Sequence, residues 1–330
     1  MFTPSSMVNG IAKFPVRIFY PLYERTQFHR AVIEELGDED LKHAYMHCRT
    51  VTRVHAKTFY FATRFLPYHK QRGIFALYAL CRYLDDLVDE AEDLLLQQQL
   101  SLSDIELKIE EWRVNINSVF DGEQINHPVL LAIRDTLKHF SIDAKYPLEL
   151  LEGVSTDLVK DRYNNFDELY KYSYQVAAVV GLMTTDIFGF TGVQAKVHAE
   201  HLGIAMQLTN ILRDIGEDLD RNRIYLPQDD MKRFGVTETD LFARKITPEF
   251  KALMVYQIER ARYYYRSAAL GIPMLSKDSR LPVALALKNY SKILDEIESQ
   301  NFTVLTRRAY LNFGQKMINF PKAWFLAKSS

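Results

Sequence analysis

The sequence predicts an all-α protein organised as a single helical bundle, and three observations predict it. Glycine and proline number only 13 and 11 in 330 residues, spread thinly between long helix-compatible stretches. No segment alternates apolar and polar residues as a half-buried strand does. No linker or repeat interrupts the series, so one domain is the economical architecture. The bulk composition narrows the classes further. With 48% hydrophobic and 25% charged residues and a formal net charge of −1, the chain has no basic excess for nucleic acid. Cys48 and Cys81 are too few for a disulfide framework, so a reducing, cytoplasmic compartment is expected. No apolar run approaches the roughly 20 residues of a membrane span, and the first residues lack a signal-peptide core.

Taken in order, residues 1–35 form an arm that mixes basic and aromatic side chains (Lys13, Phe14, Arg17, Phe19, Tyr20). Packing on the body and resting on a membrane surface are both open readings for it. A helical pattern starts at Asp38 and runs through Cys48 and Val54 into HAKTFYFATRFLP, ending at Pro67. Residues 69–93 place Ile74, Leu77, Tyr78, Cys81, Leu84 and Val88 at helical spacing. A less ordered connection precedes an amphipathic helix around Trp112, and Pro128 opens another helix that ends near His139. A helix over 147–161 carries Asp157 and Asp161. The run LYKYSYQVAAVVGLMTTDIFGF follows, rich in small residues, with a kink expected at Gly181 or Gly189. Residues 228–247 read as a polar connection, and helices are expected over 248–269 and 281–299. The tail, residues 313–330, continues a stretch with no acidic residue but with Arg307, Arg308, Lys316, Lys322 and Lys328 among aromatics. Packing and a membrane-surface contact are again both open.

Two stretches carry the chemistry. In QLTNILRDIGEDLDRNRIYLP, Asn210, Asp214 and Asp218 recur every four residues, and Gln207 lies one turn earlier. Each step of four turns about 400°, so the drift is only about 40° and the polar groups share one stripe. Leu208, Ile211, Leu212, Ile215 and Leu219 fill the remaining circumference, so the carboxylates stand beside core-forming residues and their charge must be compensated. A solvated acidic face is the ordinary explanation of such spacing. Against it, Arg213, Arg221 and Arg223 accompany the carboxylates as a phosphate site requires. The other stretch, CRYLDDLVDE, comes earlier in the chain and is the first stripe, residues 210–218 being the second. It places Asp85 and Asp89 on one face near a helix C-terminus, where the macrodipole disfavours them. If the stripes face each other across a cavity, four carboxylates converge, and Mg²⁺ is the natural counter-ion for hard oxygen ligands. Arg82 and Arg213 then clamp a polyanionic head whose apolar body lies among Phe, Tyr, Leu and small residues.

At these residues the sequence resembles a known family. HAKTFY, CRYLDDLVDE and QLTNILRDIGEDLDRNRIYLPQDD resemble the squalene/phytoene synthases, the phytoene synthases above all. EGVSTDLVKDRYNNFDELYKYSYQVAAVVGLM and LDEIESQNFTVLTRRAY are similar to further family blocks, extending the likeness over residues 40–312. The resemblance implies an isoprenoid-synthase helical bundle around a central cavity, spanning residues 36–312. It implies metal ligation by Asp85, Asp89, Asn210, Asp214 and Asp218, with Mg²⁺, or Mn²⁺ in its place. It implies diphosphate contacts from Arg82 and Arg213, and substrate contacts from His55, Thr58, Gln207, Arg223, Tyr290 and Arg307. Tyr172 matches the tyrosine ahead of the small-residue helix and is the expected catalytic partner of Arg82, Arg213, Asp85 and Asp214. The implied reaction joins two geranylgeranyl diphosphates head to head, through a cyclopropylcarbinyl diphosphate, to phytoene, without NADPH.

Phe59, Thr63 and Ala178 are expected to line the prenyl tunnel. Reckoned along one continuous helix, Thr63 lies about 12 Å beyond His55, where a small side chain leaves room for a C20 donor. Ala178 departs from the family's AGTVG, reading AAVVG here, and narrows one wall. The alternatives are a squalene or dehydrosqualene synthase using farnesyl diphosphate, a head-to-tail synthase or terpene cyclase, and a non-catalytic assembly relative. RIYLPQDD and HAKTFY favour the head-to-head family over the cyclases, and the retained acidic residues speak against the non-catalytic relative.

Overall fold

The computed structural model describes residues 28–96, 101–123 and 125–328, and the arm is outside it up to residue 27. The all-α expectation holds: the described residues form helices, with two isolated bridges and no strand. Helices α1 (Phe28–Glu34), α2 (Glu39–His55), α3 (Lys57–Thr63) and α4 (Tyr68–Leu96) come first. They are followed by α5 (Leu102–Phe120), α6 (Pro128–Leu137), α7 (Lys145–Thr156) and α8 (Phe166–Ser173). A π-helical turn, Tyr174–Ala178, leads into α9 (Val179–Phe188) and the long α10 (Gln194–Asp220). Then come the short α11 (Gln228–Phe234) and α12 (Glu238–Phe242), and finally α13 (Pro248–Gly271), α14 (Arg280–Ser299) and α15 (Phe313–Lys328).

Local chemistry sets these boundaries. Asp38 caps α2 by accepting the amides of Asp40 and Leu41 at 2.9 and 3.2 Å. Ser101 and Asp104 form a capping box at α5, and Pro128 occupies the first turn of α6. Four departures from the sequence reading matter. The helix expected through Pro67 breaks at Ala56, whose φ and ψ of −130° and 55° leave helical space. The helix expected to reach residue 161 ends at Thr156. The irregularity expected at a glycine falls instead at Tyr174–Ala178, and Gly189 merely ends α9. The "polar connection" over 228–247 contains α11 and α12, because Thr237 caps the second of them through the Asp240 amide.

Burial divides into two hydrophobic clusters. One gathers Ile74, Leu77, Leu80, Leu84 and Val88 of α4 with residues of α2, α6, α7 and α9. The other gathers Ile211, Leu212, Ile215 and Leu219 of α10 with α13, α14 and the C-terminal segment. Tyr174, Val176 and Val283 pack against both. Thus each acidic stripe is rooted in its own core. The join is close-packed: a Cβ on Gly203 of α10 would stand 2.5 Å from the Ala178 Cα, so only glycine permits this approach.

The tail forms α15 and docks one face on α14, with Ala323 fully buried and Asn319 Nδ2 donating to Asn289 Oδ1 at 3.1 Å. Its other face leaves Met317, Ile318, Trp324 and Phe325 exposed. Among the described residues no helix is long and apolar enough to cross a membrane, and Cys48 and Cys81 are free thiols.

Candidate active site

Asp214, at the middle of the second stripe, is the most heavily paired of the candidate residues. Arg213 grips it through both ends of the guanidinium, Nε to Oδ1 at 2.8 Å and Nη2 to Oδ2 at 2.5 Å. Arg308 approaches from the C-terminal segment, Nε to Oδ1 at 2.8 Å and Nη2 to Oδ2 at 3.1 Å, and reaches Glu217 at 3.2 Å. Burial by itself would lower the Arg213 pKa, but the Asp214 carboxylate outweighs it and the guanidinium stays firmly charged. An open cleft of about 370 Å³ lies beside this pair, bordered by Arg213, Glu217, Arg244, Arg307 and Arg308. The sequence reading had singled out Arg307, which lines the cleft, whereas its neighbour Arg308 makes the carboxylate contact.

One turn on, Asp218 is short of positive charge. Burial, then repulsion from Asp214, push its carboxyl up to about 7; Arg223 only partly opposes this, and Asp157 and Glu217 add to it. One turn back, the Asn210 Oδ1 is buried without a hydrogen-bond partner, while its Nδ2 donates to Gln207 Oε1 at 3.3 Å. An orphaned amide oxygen and an under-compensated carboxylate on one stripe are the donor chemistry that a hard divalent cation satisfies. The second stripe therefore fits the expected metal.

On α4, Arg82 pairs with Asp85 at 3.1 Å and also with Asp86. The Asp89 side chain, like that of Thr58, is outside the described residues. Among the described residues no three His, Cys, Asp or Glu side chains converge as one metal cluster, and arginines pair with Asp85 and Asp214. Tyr290 of α14 is within electrostatic reach of Arg213 and Tyr265 and also of Tyr78 on α4.

Behind Asp218 lies a group the sequence did not reveal as a unit. Asp157 accepts the hydroxyls of Tyr172 and Tyr225 at 2.8 and 2.9 Å, and the two rings stack with centroids 5.3 Å apart. Tyr163 completes the cluster 5.3 Å from Tyr172. Burial and then the Asp157 charge raise the Tyr172 pKa well above its usual value, so its hydroxyl stays neutral. The Arg223 Nη2 donates to the Asp157 carbonyl at 2.9 Å, and Ile224 N donates to Asp161 O at 3.0 Å, tying the loop after α10 to the loop after α7. Asp157 and Asp161 are visible as an i,i+4 pair in the sequence, but nothing there aims them at tyrosines 15 and 68 residues away.

The remaining candidates are scattered. His55 is exposed at the end of α2. The half-buried Phe59 ring lies 6.1 Å from Tyr78, which brings α3 against the first stripe's helix. Thr63 is 2% exposed and donates to Tyr60 O at 2.8 Å. The break at Ala56 invalidates the two-turn, same-face reckoning from His55, since α2 and α3 are separate helices. Ala178 is fully buried in the π-turn, its backbone against Gly203.

Comparison with known proteins agrees with this architecture. The family model for squalene/phytoene synthase matches residues 52–315. Phytoene synthase 2, chloroplastic, of Solanum lycopersicum is 40% identical over 291 residues, covering 86% of this chain and 91% of the relative. The 15-cis-phytoene synthase of Synechococcus elongatus is 38% identical, covering 87% and 94%. Among solved structures, a dehydrosqualene synthase superimposes with a TM-score of 0.80 at 27% identity, covering 88% of this chain and 99% of that one. The chain belongs to the squalene/phytoene synthase family.

Proposed function

We propose that the protein condenses two geranylgeranyl diphosphates head to head, through a cyclopropylcarbinyl diphosphate, to phytoene. The observation that carries this reading is the second stripe. It sets two arginines, an orphaned amide oxygen and an under-compensated carboxylate against a core of Ile211, Ile215 and Leu219. Such a site takes a polyanionic head on a greasy body. The likeness to phytoene synthases over most of the chain supports the C20 donor. The dehydrosqualene synthase likeness keeps a C15 donor as the competing reading.

In this proposal Mg²⁺, or Mn²⁺ in its place, is held by Asp85, Asp89, Asn210, Asp214 and Asp218. Bound there, it supplies the charge that lets diphosphate depart. Arg82, Arg213, Arg307 and Arg308 supply guanidinium forks for phosphate oxygens. Arg223, expected among the substrate contacts, is instead buried with its guanidinium on the Asp157 carbonyl and serves the loop after α10. Tyr290 is within electrostatic reach of Arg213 and Tyr78, and the Tyr163–Tyr172–Tyr225 rings offer π faces to a cationic chain. Tyr172 keeps its hydroxyl proton and donates it in a hydrogen bond to Asp157, so the oxygen stays a neutral phenol. Loss of a proton from the final cation ends the reaction, so no NADPH is required.

We also propose a cytoplasmic protein that rests on membranes through α15. Met317, Ile318, Trp324 and Phe325 are exposed with Lys322 and Lys328 beside them, a combination suited to anionic lipid. Cosedimentation with anionic vesicles across a salt series tests this, and absence of binding at low salt ends it. The main test is incubation with geranylgeranyl or farnesyl diphosphate and Mg²⁺, with and without NADPH. Phytoene from the C20 donor without NADPH is expected. Turnover of the C15 donor alone, or a product that needs NADPH, overturns the reading.

A further inference from the structure

The C-terminal segment that carries Arg307 and Arg308 is fastened to α10 by Arg308 on Asp214 and by a backbone crossing on another face of the helix. There the 3₁₀ turn Thr303–Leu305 meets Gly216, about 200° around α10 from Asp214. A Cβ on Gly216 would stand 2.8 Å from the carbonyl oxygens of both Val304 and Leu305, so the two backbones touch with no side chain between them. Arg244, in the turn after α12, binds both partners of this crossing. Its Nη1 donates to Gly216 O at 2.8 Å and to Leu305 O at 3.0 Å, and its Nη2 pairs with Asp220 at 2.5 Å. These carbonyls belong to different elements, and one guanidinium joins them. Arg244 achieves this from a left-handed backbone, φ 55°, a region that a side chain of this size rarely adopts. Such a conformation persists only where surrounding contacts impose it.

We propose that Arg244 is a positioning residue for the diphosphate site. It fixes the turn Thr303–Leu305 on Gly216, and through that turn sets Arg308 on Asp214 and Arg307 at the rim of the cleft. Its own guanidinium is committed to carbonyls and Asp220, so it acts through Arg308. The inference rests on the functional reading above only in naming diphosphate as the ligand that Arg307 and Arg308 meet.

The unusual backbone gives a discriminating variant. Arg244→Gly removes the guanidinium and relieves the left-handed strain, so the chain should fold at least as well as with Arg244→Ala. Three measurements are made on each: thermal unfolding, amide hydrogen exchange over residues 303–310, and calorimetric binding of inorganic diphosphate with Mg²⁺. Arg244→Gly should unfold near the wild-type temperature, exchange faster over 303–310, and bind diphosphate roughly tenfold more weakly, the equivalent of one charge-assisted hydrogen bond. In combination with Arg308→Ala the binding losses should not add, because both act on the same contact. Unchanged exchange over 303–310, or binding losses that add fully, overturns the proposal. A binding loss matched by a general loss of thermal stability also overturns it, since the role is then structural. Should the wild type turn over no prenyl diphosphate, the functional reading fails while exchange and diphosphate binding still decide the role of Arg244.

Discussion

Arg308 closes on Asp214 from outside the helix that carries it, with Nε 2.8 Å from Oδ1. Asp214 is already held by Arg213 on its own helix, so two guanidinium groups share one carboxylate. A divalent ion and a diphosphate would divide this arrangement between them, the ion taking the carboxylate and the phosphate oxygens taking the arginines. The carboxylate and the two guanidinium groups thus neutralise each other.

Arg308→Ala should therefore cost more than Arg307→Ala. The expected loss in kcat/KM is roughly 10- to 100-fold for Arg308, which makes two hydrogen bonds to a charged group. Arg307, which borders the cleft and among the described residues makes no ion pair with a carboxylate, should lose less. Steady-state kinetics of the two single variants check this, and equal losses would remove the distinction drawn between them.

Asp218 predicts a pH dependence. Its folded-state pKa, near 7, is above the ordinary carboxylate value, so the metal-free native state binds a proton that the unfolded chain releases. Stability from this group is present below about pH 4 and is lost as pH rises toward 7. Asp218→Asn should therefore unfold at a higher temperature than wild type at pH 8 without metal, with little difference at pH 4. Because a ligating carboxylate must be ionised, the Mg²⁺ concentration for half-maximal turnover should fall as pH rises from 6 to 8. A Mg²⁺ requirement that is flat across that range would contradict the assignment.

Asp157→Asn tests the tyrosine cluster. The carboxylate offers an acceptor to each of two hydroxyls, whereas an amide offers one acceptor and one donor, leaving one tyrosine misfitted. The expected cost is about 1–3 kcal/mol, with a correspondingly lower midpoint in thermal or urea unfolding. Tyr225→Phe, which removes only one donor, should cost less. If the amide variant is as stable as wild type, Asp157 does not hold the cluster together.

If Thr63 lines the prenyl tunnel, Thr63→Phe should block a C20 donor and spare a C15 one. The structure adds a cost. Thr63 is almost fully buried, after buried Tyr60 and Ala62 and ahead of buried Leu66, so a ring there overpacks the interior by about 1–3 kcal/mol. Turnover with C20 and C15 donors should be compared at a temperature where the variant remains folded by circular dichroism. Selective loss of the C20 activity keeps Thr63 in the tunnel, and an equal loss with both donors assigns it to packing alone.

Much of this was legible in the chain because helical periodicity is a local property. The stripes at 85–89 and 210–218 follow from spacing alone, and the all-α class from the absence of alternation and the scarcity of breakers. What escaped notice depends on contacts between distant residues. Arg308 differs from Arg307 only in which way the chain turns after Leu305. Asp157 meets Tyr225 across 68 positions, a pairing that no periodicity encodes. The break at Ala56 was hidden because alanine favours helix as well as any residue, so a reading by propensity runs straight through it.

The two hydrophobic clusters give the site a mechanical character. Asp85 is anchored in one and Asp214 in the other, and among the described residues Tyr174, Val176 and Val283 are the side chains packed into both. Between the cores the backbones touch, Gly203 against Ala178, so a change in side-chain size along this seam is taken up by a shift of one core against the other. The π-turn runs through the seam, so Tyr174–Ala178 and the α10 face opposite it set how far apart the two acidic helices stand. An engineer seeking to admit a bulkier chain would therefore do well to begin there, altering the width of the opening while leaving every acidic residue in place.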